Sequence, residues 1–453
     1  MTNSGAPKSA TQPSAAATIH IDDLLANGQG VGRMDKLVAF VTGALPGEDV
    51  RAHIDARKAN YVSGHATKIL TASPERLAPG CRVFPECGGC QVLHLRYPAQ
   101  LEWKQRMLAD ALQRIGGLGD VQVQSTEPSP LLAGTRYRNK VSLVTEKRTG
   151  KPAIGFYAAR THRVVPIQEC PVLLPRLDEA VKQFITFARE RPQVLQDARH
   201  AVLRTSAEHA ALVLCISTRT RQEQLPASCG ELRRRLPALT GIVASWDPAN
   251  ENAIFGQRFA TLWGADELCE LVGGLDFSFS IASFFQINTA MLQRIAQRFV
   301  ETLGNAKRIV DLYCGVGTFT VLLGKQGVIG TGVESYRGAV DEAAANAARN
   351  GVTNVVFECA TAEQAVAGER GRSLLAGANA VILDPPRRGC EPGVLLALAR
   401  ERVPRVEYLS CNPATLARDA KILVDAGYRL TTVTPYDMFP HTGHVEALAE
   451  FDY

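Results

Sequence analysis

The sequence predicts an α/β protein: a doubly wound parallel sheet at the C-terminal end, preceded by a small β-barrel and a mixed α+β region. Three observations carry that reading. Within residues 281–453, RIVDLYCG, VIGTGVES, AVILDPP and VEYLSCNP each read as a buried strand running into a loop, several of them separated by Ala-rich helical stretches. Such alternation builds a parallel sheet whose ligands sit at the carboxyl ends of the strands. Residues 18–74 alternate apolar and polar positions, with Gly28, Gly30, Gly32 and a Pro46-Gly47 turn as punctuation, which suits the short strands of a barrel. Residues 75–280 mix strands such as HAVLRTS and AALVLCIS with a helical pattern around 177–190.

The chain has 453 residues, 46% apolar and 21% charged, an ordinary folded composition with room for two to four domains of ~100–200 residues each. No apolar run approaches the ~18 residues of a membrane helix, so no membrane association is expected. Residues 1–17 hold one Lys, no Arg and no apolar run. They are expected to be a disordered tail rather than a secretion signal, in a cytoplasmic protein. Net charge is +5, unevenly spread: residues 1–280 carry 33 basic and 27 acidic side chains, residues 281–453 carry 17 and 18. A basic front suits a polyanionic partner and a near-neutral back suits a small ligand.

Eleven cysteines without a secretion signal point to thiols or metal ligands rather than disulfides. Cys81, Cys87 and Cys90 put three thiols within ten residues, and Cys170 is a candidate fourth. Four thiolates suit zinc or an iron–sulfur cluster, and spacing alone leaves both open. Cys215, Cys229, Cys269, Cys314, Cys359 and Cys390 receive no role. After the cluster, the spacing predicts a helix over 98–117, with Leu101, Met107, Leu108, Leu112 and Ile115 apolar and Gly116-Gly117 as its stop. From Arg136 to Arg163 there are eight basic residues and one acid, with Tyr137, Phe156 and Tyr157 interleaved. That composition fits phosphates and unpaired bases, and equally a solvated charged hairpin.

The last region carries the chemistry. Asp311 precedes Cys314-Gly315-Val316-Gly317, and Glu334 follows 17 residues after Gly317. The glycines allow a tight turn and close approach of a ligand, and an acidic side chain at the next strand end can accept both ribose hydroxyls. Thr320 stands where a dinucleotide fingerprint would have a third glycine. The D-x-x-x-G-x-G pattern instead fits S-adenosylmethionine enzymes. Asp384-Pro385-Pro386-Arg387 is a stiff loop presenting a carboxylate and carbonyls. Methyltransferases acting on planar amines have a similar loop, but Arg387 replaces the aromatic that would stack on the base. Cys411 lies after a buried strand and before a helix, where a helix N-terminus favours a thiolate.

Taken together, SFFQIN, DLYCGVGTF, LDPPRRG, LSCNPATLARD and DMFPHTGHVE resemble the RNA (uracil-5-)-methyltransferase family. With the cysteine cluster and a barrel resembling the TRAM domain, the chain looks most like the 23S ribosomal RNA 5-methyluridine enzymes. The resemblance implies a Rossmann-like class I methyltransferase domain over 281–453, an OB-like TRAM barrel over 18–74 and a central α+β iron–sulfur domain over 75–280. By the same resemblance the 98–117 helix is expected to pack on the last domain. It implies Cys411 as nucleophile on uracil carbon 6 and Glu446 as the base for the carbon-5 proton, with His441 and His444 as nearby rivals. Cofactor contacts fall on Gln286, Tyr313, Thr318, Glu334, Thr361 and Asp384; Thr318 and Thr361 stand where relatives often have Asn. A [4Fe–4S] cluster would be held by Cys81, Cys87, Cys90 and Cys170. The implied partner is 23S ribosomal RNA before full ribosome assembly, with no obligate protein partner. A transfer-RNA uridine is the alternative substrate. A non-catalytic RNA-binding protein is the other alternative, against which Cys411 and Glu446 both speak.

Overall fold

The computed structural model describes residues 16–131, 134–146, 152–195, 197–222, 225–250 and 252–453. Residues 1–15 of the expected tail lie outside the described residues, and the first strand begins at Ala16, two residues before the expected barrel boundary. Strands β1 (Ala16–Leu24), β2 (Gln29–Met34), β3 (Leu37–Thr42), β4 (Asp49–Arg57) and β5 (Tyr61–Thr71) close a barrel in the order β1-β2-β3-β5-β4. Alternate residues point inward, as the period of two demands. Ile19, Ile21, Ala39, Val41, Val50, Ala52 and Val62 fill the interior.

Helix α1 (Tyr97–Ala111) follows the cysteine loop and widens into a π-helical turn over Leu112–Gly116, where Gly117 in the left-handed region ends it. Its buried face differs from the apolar stripe the sequence suggests. Gln100, Trp103, Lys104, Leu108 and Leu112 are buried, whereas Ile115 is exposed. The polar members are buried because each has a partner. Gln100 Nε2 donates to Leu95 O, Lys104 Nζ donates to Asp437 Oδ1, and Trp103 Nε1 donates to Leu24 O on the barrel. Leu108 and Leu112 pack with Leu416, Ala417 and Val433, so the helix sits on the last domain.

The central sheet has seven strands, β6 (Lys140–Glu146), β7 (Ala153–Tyr157), β8 (Val164–Pro166), β9 (Ala198–Thr205), β10 (Leu212–Thr218), β11 (Gly241–Trp246) and β12 (Arg258–Gly264), ordered β12-β11-β10-β9-β6-β7-β8. Helices α2 (Pro175–Glu190) and α3 (Leu225–Arg235) cover one face through Leu177, Val181, Phe184 and Leu232. The other face, through Val202, Val213 and Val243, joins the hydrophobic cluster of the last domain. A hairpin, β13 (Glu267–Val272) and β14 (Leu275–Ser280), lies within residues 75–280 but packs Leu268, Phe277 and Phe279 into that same cluster.

Helix α4 (Thr289–Leu303) leads into β15 (Arg308–Leu312), α5 (Thr318–Lys325), β16 (Ile329–Glu334), α6 (Arg337–Arg349) and β17 (Val355–Cys359). Then come α7 (Ala362–Ala365), α8 (Gly368–Leu375), β18 (Ala380–Leu383), α9 (Pro392–Arg400), β19 (Arg405–Ser410), α10 (Pro413–Asp425), β20 (Arg429–Tyr436) and β21 (Glu446–Asp452). The sheet order is β17-β16-β15-β18-β19-β21-β20, with β15 to β19 parallel and β21 antiparallel to both its neighbours. The direction of winding reverses between β15 and β18, and a ligand crevice opens at such a switch point. Among the described residues no helix is long and apolar enough to cross a membrane.

Candidate active site

Strand register places five expected residues in a row along the crevice. Leu312 pairs with Val333 on one side and Leu383 on the other, so Tyr313, Glu334 and Asp384 follow at adjacent strand ends. Ser410 pairs with Ala447 across the antiparallel β19–β21 ladder, which sets Cys411 beside Glu446. The resulting cavity, about 590 Å³, is lined by Gln286, Tyr313, Thr318, Glu334, Thr361, Asp384, Cys411 and Glu446 together. That size suits a small organic ligand with part of a second one.

The β15–α5 turn is shaped by left-handed residues at Tyr313, Gly315 and Gly317. A Cβ on Gly317 would also lie 3.0 Å from Ala343 and Phe357. Gly315 N donates to Glu334 Oε2, while Ser335 Oγ and Tyr336 N donate to Glu334 Oε1, which fixes this carboxylate over the turn. Asp311 does not line the cavity. It lies buried beneath the turn and accepts from Thr320 Oγ1 at 2.7 Å, and burial pushes its carboxyl up to about 7. Thr361 Oγ1 accepts from Gln364 N as the cap of α7, so this hydroxyl is already in use as an acceptor. The Gln286 segment is held by Arg204, whose guanidinium lies over Phe279 and donates to Ser283 O and Phe285 O.

At the other end, the Asp-Pro-Pro-Arg loop is latched to α10. Asn412 Nδ2 and Thr415 Oγ1 both donate to Arg387 O, and Asn412 Oδ1 caps the helix by accepting from Ala414 N. Cys411 stands at this helix end, yet burial and the carboxylates of Glu446 and Asp384 push its thiol up to about 11. The lowering expected from the helix end is thus outweighed, with the Arg387 charge pulling the other way. Burial holds Asp384 at about 7. Glu446 is raised well above the ordinary carboxylate range by burial and by Asp384, and its Oε1 is buried without a hydrogen-bond partner.

The two histidines are set apart from this chemistry. Neither lines the cavity. His441 is buried with Nδ1 3.1 Å from Gln100 Nε2, and burial pushes it down to about 4. His444 has Arg387 within 3.3 Å of its ring; desolvation and that charge push it down to about 4. Sequence reasoning gave no role to several wall residues: Phe284, 73% exposed, with Tyr336 and Phe439. Tyr336 had a signal in its position two residues after Glu334, and Phe439 in the DMFPHTGHVE segment.

Cys81, Cys87, Cys90 and Cys170 are unpaired and half-buried. They converge: burial raises the thiols of Cys87, Cys90 and Cys170, Cys170 to about 11, and the thiols raise one another. Four such thiols fit a zinc ion or an iron–sulfur cluster alike.

The basic stretch is less free than its composition suggests. Lys147, Arg148 and Lys151 lie outside the described residues. Arg136 pairs with Asp178, Arg163 with Glu86, and Arg160 donates to Gln29 on the barrel. Lys140 is packed over Phe255, with burial lowering its ammonium to about 7, and Tyr137 is buried. Tyr157, stacked on His162, remains exposed.

Fold and site define a class I methyltransferase-type domain with an N-terminal barrel, and comparison with known proteins makes the assignment narrower. Residues 272–449 match the family described as tRNA (Uracil-5-)-methyltransferase, and residues 16–67 match the TRAM domain. An uncharacterised RNA methyltransferase of Halalkalibacterium halodurans is 35% identical over 95% of this chain and 95% of its own length. One from Clostridium tetani is 33% identical over 96% of each. The crystal structure of Pyrococcus abyssi tRNA (uracil-54, C5)-methyltransferase in complex with S-adenosyl-L-homocysteine is 28% identical, with a TM-score of 0.75, covering 96% of this chain and 100% of that one. The chain belongs to the RNA (uracil-5-)-methyltransferase family and carries a TRAM domain.

Proposed function

We propose that this protein transfers a methyl group from S-adenosylmethionine to carbon 5 of a uridine in 23S ribosomal RNA, in the cytoplasm, through a covalent Cys411 adduct. The reading rests on one observation above the rest: all eight residues expected from the motifs line a single cavity, with Cys411 beside a buried carboxylate that has an unpartnered oxygen. When bound, the cofactor supplies an electrophilic methyl group on a sulfonium. Glu334 suits the ribose hydroxyls, and Gln286, Tyr313, Thr318, Thr361 and Asp384 complete the walls.

The target base leaves its stack to reach the cavity. Cys411 Sγ, as thiolate, bonds to carbon 6, and the opening of the 5,6 double bond makes carbon 5 nucleophilic. After carbon 5 has taken the methyl, Glu446 removes its remaining proton, the double bond re-forms and Sγ leaves. Arg387 favours the thiolate at the start, and the elevated Glu446 suits a base that must be strong enough to take a carbon-bound proton. By the family resemblance the four thiols would hold a [4Fe–4S] cluster, which would keep the 81–90 loop against β7, where Gly88 N donates to Tyr157 O. The reaction needs no electrons from it, so its role is structural or RNA-positioning. Cys87→Ala should then weaken RNA binding; an intact fold and affinity with lost methylation would refute that role.

Two measurements test the reading. Cys411→Ala protein given RNA and labelled cofactor should transfer no methyl, and Glu446→Gln should accumulate a protein–RNA adduct. Mapping 5-methyluridine in cells with and without the protein tests the substrate. Loss at a 23S uridine is expected. The likeness to the Pyrococcus tRNA enzyme favours the second reading, under which the loss would fall in transfer RNA.

A further inference from the structure

We infer that His209, Cys269 and Asp276 form a binding site for a zinc-class divalent ion, at the joint between the central sheet and the methyltransferase domain. Their donor atoms all lie within 4.8 Å of one another, the one such trio of His, Cys, Asp or Glu among the described residues. His209 Nε2 is 3.0 Å from Asp276 Oδ1. The trio is built by topology. Cys269 pairs with Ser278 and Leu271 with Asp276 across the β13–β14 ladder, so Cys269 and Asp276 are diagonal neighbours on one face. His209 reaches them from the turn between β9 and β10.

The backbone of Asp276 and of His209 is held by side chains. Asn350 Oδ1 accepts from Asp276 N and its Nδ2 donates to Asp276 O, at 3.0 and 2.8 Å. Ser206 Oγ accepts from His209 N, and the buried Glu270, next to Cys269, accepts from Ala207 N with both oxygens. The donor chemistry selects the ion. One imidazole, one thiolate and one carboxylate suit zinc or cobalt rather than magnesium or calcium, which prefer oxygen alone. Two anionic ligands balance the divalent charge, and partial exposure of His209 and Asp276 leaves room for water at a fourth position. Binding releases the thiol proton as the metal–sulfur bond forms. The ion would then clamp the β9–β10 turn to a hairpin whose Leu268, Phe277 and Phe279 are rooted in the methyltransferase core.

The test uses the full chain equilibrated with micromolar zinc and counted for metal. His209→Gln is the informative variant, because its amide can still donate to Asp276 and preserve the fold while the imidazole ligand is gone. Both His209→Gln and Cys269→Ser should bind one zinc per chain fewer than the parent, whatever the Cys81–Cys170 set holds. Cobalt should give a thiolate-to-metal absorption band that weakens in Cys269→Ser, and zinc should raise the melting temperature of the parent by a few degrees more than that of either variant. Equal zinc content in parent and both variants, or a cobalt band indifferent to Cys269→Ser and His209→Gln, would overturn the assignment.

Discussion

Lys104 on α1 and Asp437, just beyond β20, form an ion pair in which both side chains are fully shielded from water. Lys104 also donates to Phe439 O at 2.9 Å, and Phe439 is a wall of the catalytic cavity. A helix some 330 residues earlier in the chain thus fixes the segment that leads into Glu446. Breaking a buried pair strands a charge, at about 3–5 kcal/mol. Lys104→Met should therefore lower the melting temperature strongly, and Lys104→Met with Asp437→Leu should recover much of it. Thermal unfolding of the three proteins checks this. A single variant as stable as the parent would show that the pair carries no weight.

Three buried histidines should each weaken the fold as pH falls below 6.5. His94, His200 and His441 are buried, and burial pushes each down to about 4 from 6.5. The unfolded chain takes up protons that these rings refuse when folded. The histidine contribution is therefore full above pH 6.5 and is lost as pH drops toward 4, opposite in sign to that of the buried Asp311 and Asp384, which are raised to about 7. His94 is the clearest case, 1% exposed with neither ring nitrogen hydrogen-bonded. At 1.36 kcal/mol per unit it accounts for up to about 3 kcal/mol across that window. His94→Phe should flatten that part of the stability–pH curve measured by denaturant unfolding.

The crevice was legible in the sequence because its residues follow strands at the carboxyl end, a place that short motifs mark. Gly315, Glu334, Asp384 and Cys411 each close an apolar run, and parallel pairing then brings them together. What the sequence hid were the long-range partners. Lys104 reads as a solvated helix residue until Asp437 is placed beside it, and Lys140 reads as an RNA-facing cation until Phe255 covers it. The ion pairs within the basic 136–163 stretch were hidden for the same reason, since Asp178 and Glu86 lie far from its cations in sequence. The thiol of Cys411 misled in sign: the helix end is local and visible, while the carboxylates that overrule it come from other strands.

The pH dependence of methyl transfer should follow those carboxylates. Asp384 sits at about 7, and its charge raises both Glu446 and Cys411. A base that must be deprotonated and a thiol that must ionise both make the rate climb with pH through neutrality. Asp384→Asn removes the shared negative neighbour. At saturating cofactor and RNA, its rising limb in single-turnover experiments should move to lower pH, even if cofactor affinity falls. An unmoved limb would show that Asp384 does not set the ionisation of this site.

The barrel and the catalytic loop touch at a point that admits no side chain. A Cβ on Gly443 would lie 1.5 Å from Ala26 O, in the turn between β1 and β2. Gly443 is three residues before Glu446, and Gln91 beside the cysteine loop also reaches this segment, its N donating to His441 O. Gly443→Ala must therefore push the barrel away from the 441–446 segment or distort that segment. Glu334 and Thr318, the proposed cofactor contacts, stand at the ends of β16 and α5, away from the 441–446 segment in the sheet. The variant should keep its affinity for S-adenosylhomocysteine within about twofold, a change of ~0.4 kcal/mol. Methyl transfer to RNA should fall by tenfold or more, since misplacement by about 1 Å costs on that scale. Calorimetry with the cofactor product and methyl transfer at saturating RNA separate the two effects. Full activity in Gly443→Ala would mean that the barrel's seat on this loop has no part in presenting the base.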